Sequence, residues 1–201
     1  MNGLLTEEVE ATSTKSKIFK IAARLFAEKG YNGVSMREIS EVSGVSKPTI
    51  YYYFGRKEGI YRELLNTGLD HIQTSVNKVQ SQPIPVKEKL IMLTKSYFRE
   101  TVQHPEYLKF FLTIFTISQN IGFPEEFKTE VLKQWYGLAD LIKEGRESGE
   151  FGVSAKPELA AAIIASVLGA FVWRQLGSET QILSDCLAEE IIEILFKGLN
   201  E

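Results

Sequence analysis

From residue 14 onward the apolar positions recur at helical spacing. Ile18, Ile21, Ala22, Leu25 and Phe26 stand at i, i+3, i+4, i+7 and i+8, with Lys17, Lys20, Arg24 and Glu28 mostly off that stripe, which predicts a helix over 14–29. Ser35-Met36-Arg37-Glu38 matches a capping box, in which Ser accepts from the backbone three residues on and Glu reaches back to the cap. It opens a helix over 36–42 whose buried side is expected to hold Ile39 and Val42. Gly44 breaks that helix, Val45 turns inward, and Ser46 caps a third helix over 47–54. Further helices are expected near 86–103, 105–119, 124–148 and 156–176, each with proline in or just before its first turn, where a missing N–H is harmless. Gly30, Gly55, Gly149 and Gly177 fall where helices should end.

No segment of useful length alternates apolar and polar residues, so strands are not expected. The fold class is therefore all-α: an N-terminal three-helix helix-turn-helix domain followed by a C-terminal helical bundle, about nine helices in total. The expected division is a flexible tail over 1–12, the helix-turn-helix domain over 13–60, and a helical domain over 61–201.

At 44% hydrophobic and 24% charged residues the composition is that of a soluble globular protein. The single cysteine, Cys186, excludes an internal disulfide, fits a reducing cytosol, and is expected to be a small buried apolar residue. The N-terminus has no basic stretch followed by an apolar one, so no secretion signal is expected and a cytoplasmic location is. Leu159 to Trp173 is free of charge but short of the roughly 20 residues a bilayer needs, and is rich in Ala. It reads as a buried helix.

Charge changes the picture when it is divided along the chain. A net charge of −3 conceals a local +5 over residues 12–60, with −3 before it and −5 after it. A positive field on one small domain steers it toward phosphates.

Within that domain, two short helices joined by a tight Gly-containing turn have the form of a helix-turn-helix. At 100° per residue Ile50 and Phe54 share the inward face of the second helix, with Tyr53 at its margin. Pro48, Thr49 and Tyr52 lie broadly opposite, and Lys47 and Tyr51 flank them. Those side chains bond phosphates, read guanine acceptors or pack on thymine methyls. On geometry alone the three tyrosines are equally readable as core filler.

The residues carry a resemblance. Phe26-x-x-Lys29-Gly30-Tyr31-x-x-x-Ser35-x-Arg37-Glu38-Ile39-Ser40, then Gly44-Val45-Ser46-Lys47-Pro48-Thr49-Ile50-Tyr51-Tyr52-Tyr53-Phe54-x-x-Lys57-Glu58, closely resembles the tetracycline-repressor-like (TetR) family over residues 14–62 without gaps. The resemblance implies a three-helix DNA-binding domain, a connecting fourth helix and a helical C-terminal domain. It also implies a homodimer on a near-palindromic double-stranded operator, with a small-molecule effector.

It further implies roles. Ser35, with Met36 beside it, and Lys57 match positions that hold phosphates at helix N-termini, where free N–H groups and a positive dipole favour anions. Ser46 caps the recognition helix, Lys47 and Thr49 match base-facing positions with Pro48 between them, and Tyr51 and Tyr52 match contacts to backbone or thymine methyls. Tyr53 matches a position that approaches the phosphates. Two departures stand out: Gly55-Arg56 replaces the usual cap of the fourth helix, and Gly59 sits in that helix's first turns, where glycine is expected to loosen it.

Beyond residue 62 the aromatics have two readings, bundle core or the lining of an apolar effector cavity. Tyr97, Phe98, Phe111, Phe115, Trp135, Tyr136 and Trp173 are the candidates for the cavity. For pairing, Ala165 and Gly169 allow close helix approach, and Leu187, Ile191, Ile194 and Leu195 form a stripe on the last helix. An enzyme is the main rival, but G-x-S-x-G, P-loop, G-x-G-x-x-G and H-E-x-x-H patterns are missing, and no catalytic residue, metal site or cofactor is expected. His71 and His104 read as solvated or locally bonded. A helical adaptor that does not bind DNA is the other rival, and a gel shift separates both from a regulator.

Overall fold

Helix α1 runs Asn2–Lys29, beginning well before the expected residue 14; Leu, Glu and Ala make up half of residues 2–13 and no proline interrupts them. This is a computed structural model that describes residues 2–117, 137–151 and 156–200, with side chains over 14–112, 137–151 and 156–198. Helices α2 (Met36–Ser43), α3 (Lys47–Phe54), α4 (Lys57–Gln80), α5 (Val86–Gln103) and α6 (Pro105–Ile117) follow. Then come α7 over 137–147, α8 (Pro157–Leu176) and α9 (Asp185–Asn200). The fold is all-helical, and the described residues contain no strand.

The chain divides into two compact units, one of Met1–Gly68 with Glu106–Gly122, the other of Leu69–Pro105 with Phe123–Glu201. The division falls inside α4.

In the first unit, Ile18, Ala22, Leu25 and Phe26 of α1 pack with Val34, Ile39, Ile50 and Phe54, all buried. The stripe read from spacing is thus the core face of α1. Beside it, Phe26, Tyr31, Tyr61 and Phe110 form an aromatic cluster, with Tyr31–Tyr61 centroids 4.9 Å apart and Tyr61–Phe110 5.2 Å apart, both edge-on. Burial pushes the Tyr61 phenol up to about 12.

In the second unit, Val86, Leu90, Leu141, Ile142, Phe151, Ala160, Ile164 and Ile192 make one apolar cluster. Helices α5 and α9 pack against each other, and Lys87–Glu193, Lys95–Glu189 and Arg99–Asp185 pair across them in antiparallel register. These pairs are largely exposed, so they set register more than stability. The buried Lys89 ammonium is held by Glu144 at 2.8 Å.

Proline at the cap of α5 supplies no side-chain acceptor, and Glu150 does so from a distance in sequence: its carboxylate accepts from Val86 N–H at 3.1 Å and Lys87 N–H at 3.3 Å. A negative charge at that terminus also meets the positive end of the helix dipole. Glu150→Ala is expected to lower the stability of the second unit by about 1–2 kcal/mol, read as a shifted denaturant midpoint; an unchanged midpoint would contradict this capping role. The loop before α9 is pinned similarly, with the Gln175 side-chain Oε1 accepting from Ile182 N–H at 2.6 Å and Leu183 N–H at 3.0 Å.

Three expectations are corrected by these packing relations. Val42 is 42% exposed rather than buried, because the buried face of α2 is centred between Ile39 and Ser43 and leaves Val42 at its margin. Cys186 is exposed on α9, its thiol directed at the Glu190 carboxylate 3.5 Å away, which with Glu189 pushes the thiol upward. Helix α8 buries only 22% of its most apolar stretch. Its inner side, Ala160, Ala161, Ile164 and Val172, is packed, while Leu159, Ile163, Ser166, Ala170 and Trp173 line an exposed stripe at i, i+4, i+7, i+11 and i+14.

Candidate nucleic-acid interface

The helix-turn-helix is assembled by short-range bonds that the sequence dictates. Ser35, extended at φ −116° and ψ 155°, caps α2 by accepting from Glu38 N–H at 3.1 Å. Gly44 ends α2 in the left-handed region at φ +66°, where a side chain would be strained. Ser40 donates to the Val45 carbonyl at 2.7 Å, and Val45 N–H donates to Ser43 Oγ at 3.2 Å, so both sides of the turn are fastened. Ser46 then caps α3, accepting from Thr49 N–H at 3.3 Å, and its hydroxyl lies 2.7 Å from that of Thr49.

Only half of the expected capping box forms. The Glu38 carboxylate is drawn away to the Lys29 ammonium, which raises the Lys29 pKa, instead of reaching back to Ser35. The Ser35 N–H consequently meets no acceptor among the described residues, and the first-turn N–H groups of Met36 and Arg37 meet none either.

Helix α3 presents the face that its spacing predicts. Ile50 and Phe54 are buried and Tyr53 is half-buried. Lys47 and Pro48 are exposed, Tyr51 is 49% exposed and Tyr52 is 84% exposed. Two phenols, an ammonium and a proline ring thus stand on one side of an eight-residue helix. Tyr52 and Tyr53 meet edge-on at 5.4 Å, which orders the outer ring. Core filler is not what Tyr51 and Tyr52 do. Ser35 and Ser46 are also exposed, and Met36 and Thr49 half-buried.

Lys57 is placed differently from a solvent-facing cation. Its ammonium donates to the Tyr31 and Val34 carbonyls, each at 2.9 Å, and lies 4.2 Å from the centroid of the Tyr31 ring. Next to it, the Tyr31 phenol and neighbouring cations hold the Glu58 carboxyl below its usual range. Gly59 is not a loose point in α4: a Cβ there would lie 1.9 Å from the Phe54 carbonyl oxygen. The end of α3 passes so close to the start of α4 that glycine is required.

The other sequence-derived sites fare variously. Phe98 is buried and Tyr97 half-buried in the second unit, with burial pushing the Tyr97 phenol upward. Phe111 is half-buried in the first unit, against Gly68. Trp173 is 66% exposed on the outer stripe of α8, away from the side on which Ala160, Ala161, Ile164 and Val172 are buried. Trp135 and Tyr136 lie outside the described residues, as does the side chain of Phe115. A shallow groove along α9, lined by Ile91, Cys186, Glu189, Glu190, Glu193 and Ile194, contains none of the expected cavity residues.

On the last two helices, Ile191 is 5% exposed and belongs to the protomer's core, not to a free face, because it points to the same side as Ile192 and Ala188. Ile194 is 70% exposed, and Ala165, Gly169, Leu187 and Leu195 are intermediate. Leu159 and Ile163 belong to the exposed apolar stripe and are missed by the sequence reading; their spacing from Trp173 was the available signal.

Comparison with known proteins gives a consistent result. Residues 18–64 match the family model described as bacterial regulatory proteins, tetR family. The chain is 24% identical over 189 residues to the HTH-type transcriptional repressor KstR2 of Rhodococcus jostii, covering 92% of this chain and 90% of that protein. Among solved structures, the ketosteroid transcriptional regulator KstR2 of Mycobacterium tuberculosis aligns with a TM-score of 0.74 at 18% identity, covering 93% of this chain and 95% of that one. The TetR family transcriptional regulator PfmR of Thermus thermophilus aligns with a TM-score of 0.73 at 24% identity, covering 92% and 99%.

Proposed function

Because the chain belongs to the tetR family of bacterial regulatory proteins, which are DNA-binding transcriptional regulators, we propose that it is a cytoplasmic repressor that docks as a homodimer on a near-palindromic operator. A small apolar or aromatic effector releases it. The observation that carries this reading is the outward face of α3, where Lys47, Pro48, Tyr51 and Tyr52 stand exposed on a helix fixed from beneath by Ile50 and Phe54. Ser35, Met36, Ser46 and Tyr53 flank it as backbone contacts, and the open N–H groups at the start of α2 suit a phosphate. Lys47 and Thr49 read bases.

Pairing uses the outer faces of α8 and α9, where Leu159, Ile163, Trp173 and Ile194 leave an apolar surface uncovered in the single chain. A Cβ at Gly169 would meet nothing within 4 Å among the described residues, so the protomer's packing there does not require that glycine, and a partner helix approaching gives it a reason. An apolar effector accords with the buried aromatics of the second unit, Phe98 and Tyr97 among them, and with a structural neighbour named for ketosteroids.

Gel shifts at moderate salt with candidate operators test the reading, followed by release with ketosteroid-like and acyl compounds. Lys47→Ala is expected to change the ranking of operator variants at one position per half-site, by about 1–3 kcal/mol. An unchanged ranking would remove Lys47 from the bases.

A further inference from the structure

We propose that Lys57 is a positioning residue: its ammonium straps the α1–α2 turn to the start of α4 and thereby aims the N-terminus of α2 at the DNA backbone, without itself touching a phosphate. The inference rests on the DNA-binding reading and deepens it.

An ammonium has three N–H bonds. Two of the Lys57 donors are engaged by the Tyr31 and Val34 carbonyls at 2.9 Å each, and the remaining charge lies on the Tyr31 ring face. These bonds commit two of the three donors to the α1–α2 turn, and the Tyr31 ring beneath the ammonium is itself fixed between Phe26 and Tyr61. The grip on Val34 has a directional consequence. The Val34 carbonyl and the Ser35 N–H belong to one planar trans peptide, so they point opposite ways. Holding the carbonyl toward α4 turns the Ser35 N–H away from it. That N–H is the one that Glu38, occupied by Lys29, leaves open. Because Lys57 is the first residue of α4, any displacement of that helix start is passed to the peptide that caps α2.

The test compares full-length wild type, Lys57→Met and Lys57→Arg, with Lys57→Arg able to donate to both carbonyls. Hydrogen exchange of the DNA-free chain should show the Val34 amide, which donates to the Tyr31 carbonyl that Lys57 also holds, about tenfold faster in Lys57→Met and near wild type in Lys57→Arg. Operator affinity should fall about tenfold in Lys57→Met and recover in Lys57→Arg. The slope of log affinity against log salt should stay at the wild-type value in both, whereas loss of a phosphate contact would reduce it by about 0.9. A reduced slope, or unchanged exchange at Val34 in Lys57→Met, overturns the proposal. Failure of the wild type to form a specific complex contradicts the DNA-binding reading instead, and the exchange comparison still judges the strap.

Discussion

Gly59→Ala is expected to destabilise the first unit by about 3 kcal/mol and to abolish specific DNA binding. The sign is the reverse of the usual rule. At an unstrained position inside a helix, replacing glycine with alanine stabilises by about 0.5–1 kcal/mol, through helix propensity and a less flexible unfolded chain. Gly59 lies in such a helix and its φ is not positive, so local conformation would welcome alanine.

The obstacle is tertiary. The new Cβ would stand 1.9 Å from the Phe54 carbonyl oxygen, and backbone cannot rotate aside as a flexible side chain does. Phe54 is the last residue of α3 and its ring is a buried anchor packed 5.3 Å from Phe19, so relief requires shifting the recognition helix relative to α1 or α4. Thermal unfolding should show the melting temperature of the first unit lower by about 10 °C or more. A variant as stable as wild type would mean that α3 and α4 do not approach as closely as described.

Ile194→Asp is expected to convert the proposed dimer to monomers and reduce operator affinity at least about a hundredfold, since two half-sites can no longer be held together. The protomer should remain folded, because Ile194 is 70% exposed and an aspartate there is hydrated in the single chain. In a pairing surface the same carboxylate would be desolvated without a partner. Sedimentation or light scattering reads the mass, and circular dichroism checks the fold. Ile191→Asp is the contrasting variant: at 5% exposure it buries a charge in the core and should unfold the second unit instead. A dimer that persists in Ile194→Asp would move the pairing surface elsewhere.

The contrast between Ile191 and Ile194 shows what a single sequence discloses. Spacing identifies residues on one stripe, but the two are separated by about 60° on α9, and only the neighbours of that helix decide which is covered. Val42 departs from expectation for the same reason. Cys186 departs because its own helix face overrides the tendency of its residue type.

Where the determinants are local, the reading is close to complete. The serine caps of α2 and α3, the left-handed Gly44 and the inward pair Ile50 and Phe54 depend on residues within a few positions of one another, and each lies where spacing and turn chemistry put it. Bonds between distant segments were not legible. Nothing in Ser35-Met36-Arg37-Glu38 reveals that Lys29 will claim Glu38, and a lysine at the start of α4 reads as a solvent-facing cation until Tyr31 and Val34 are seen to hold it. Likewise a glycine at position 59 looks like a weak point until the Phe54 carbonyl appears beside it.

The central claim is that the exposed face of α3 reads a defined operator. It is tested most directly by selecting duplexes bound by the full-length chain from a random pool at moderate salt and sequencing them. The account predicts enrichment of an inverted repeat with half-sites about one helical turn apart, and loss of that preference at particular base pairs in Lys47→Ala. Recovery of an unenriched pool, or binding that disappears with salt equally for every sequence, would contradict it.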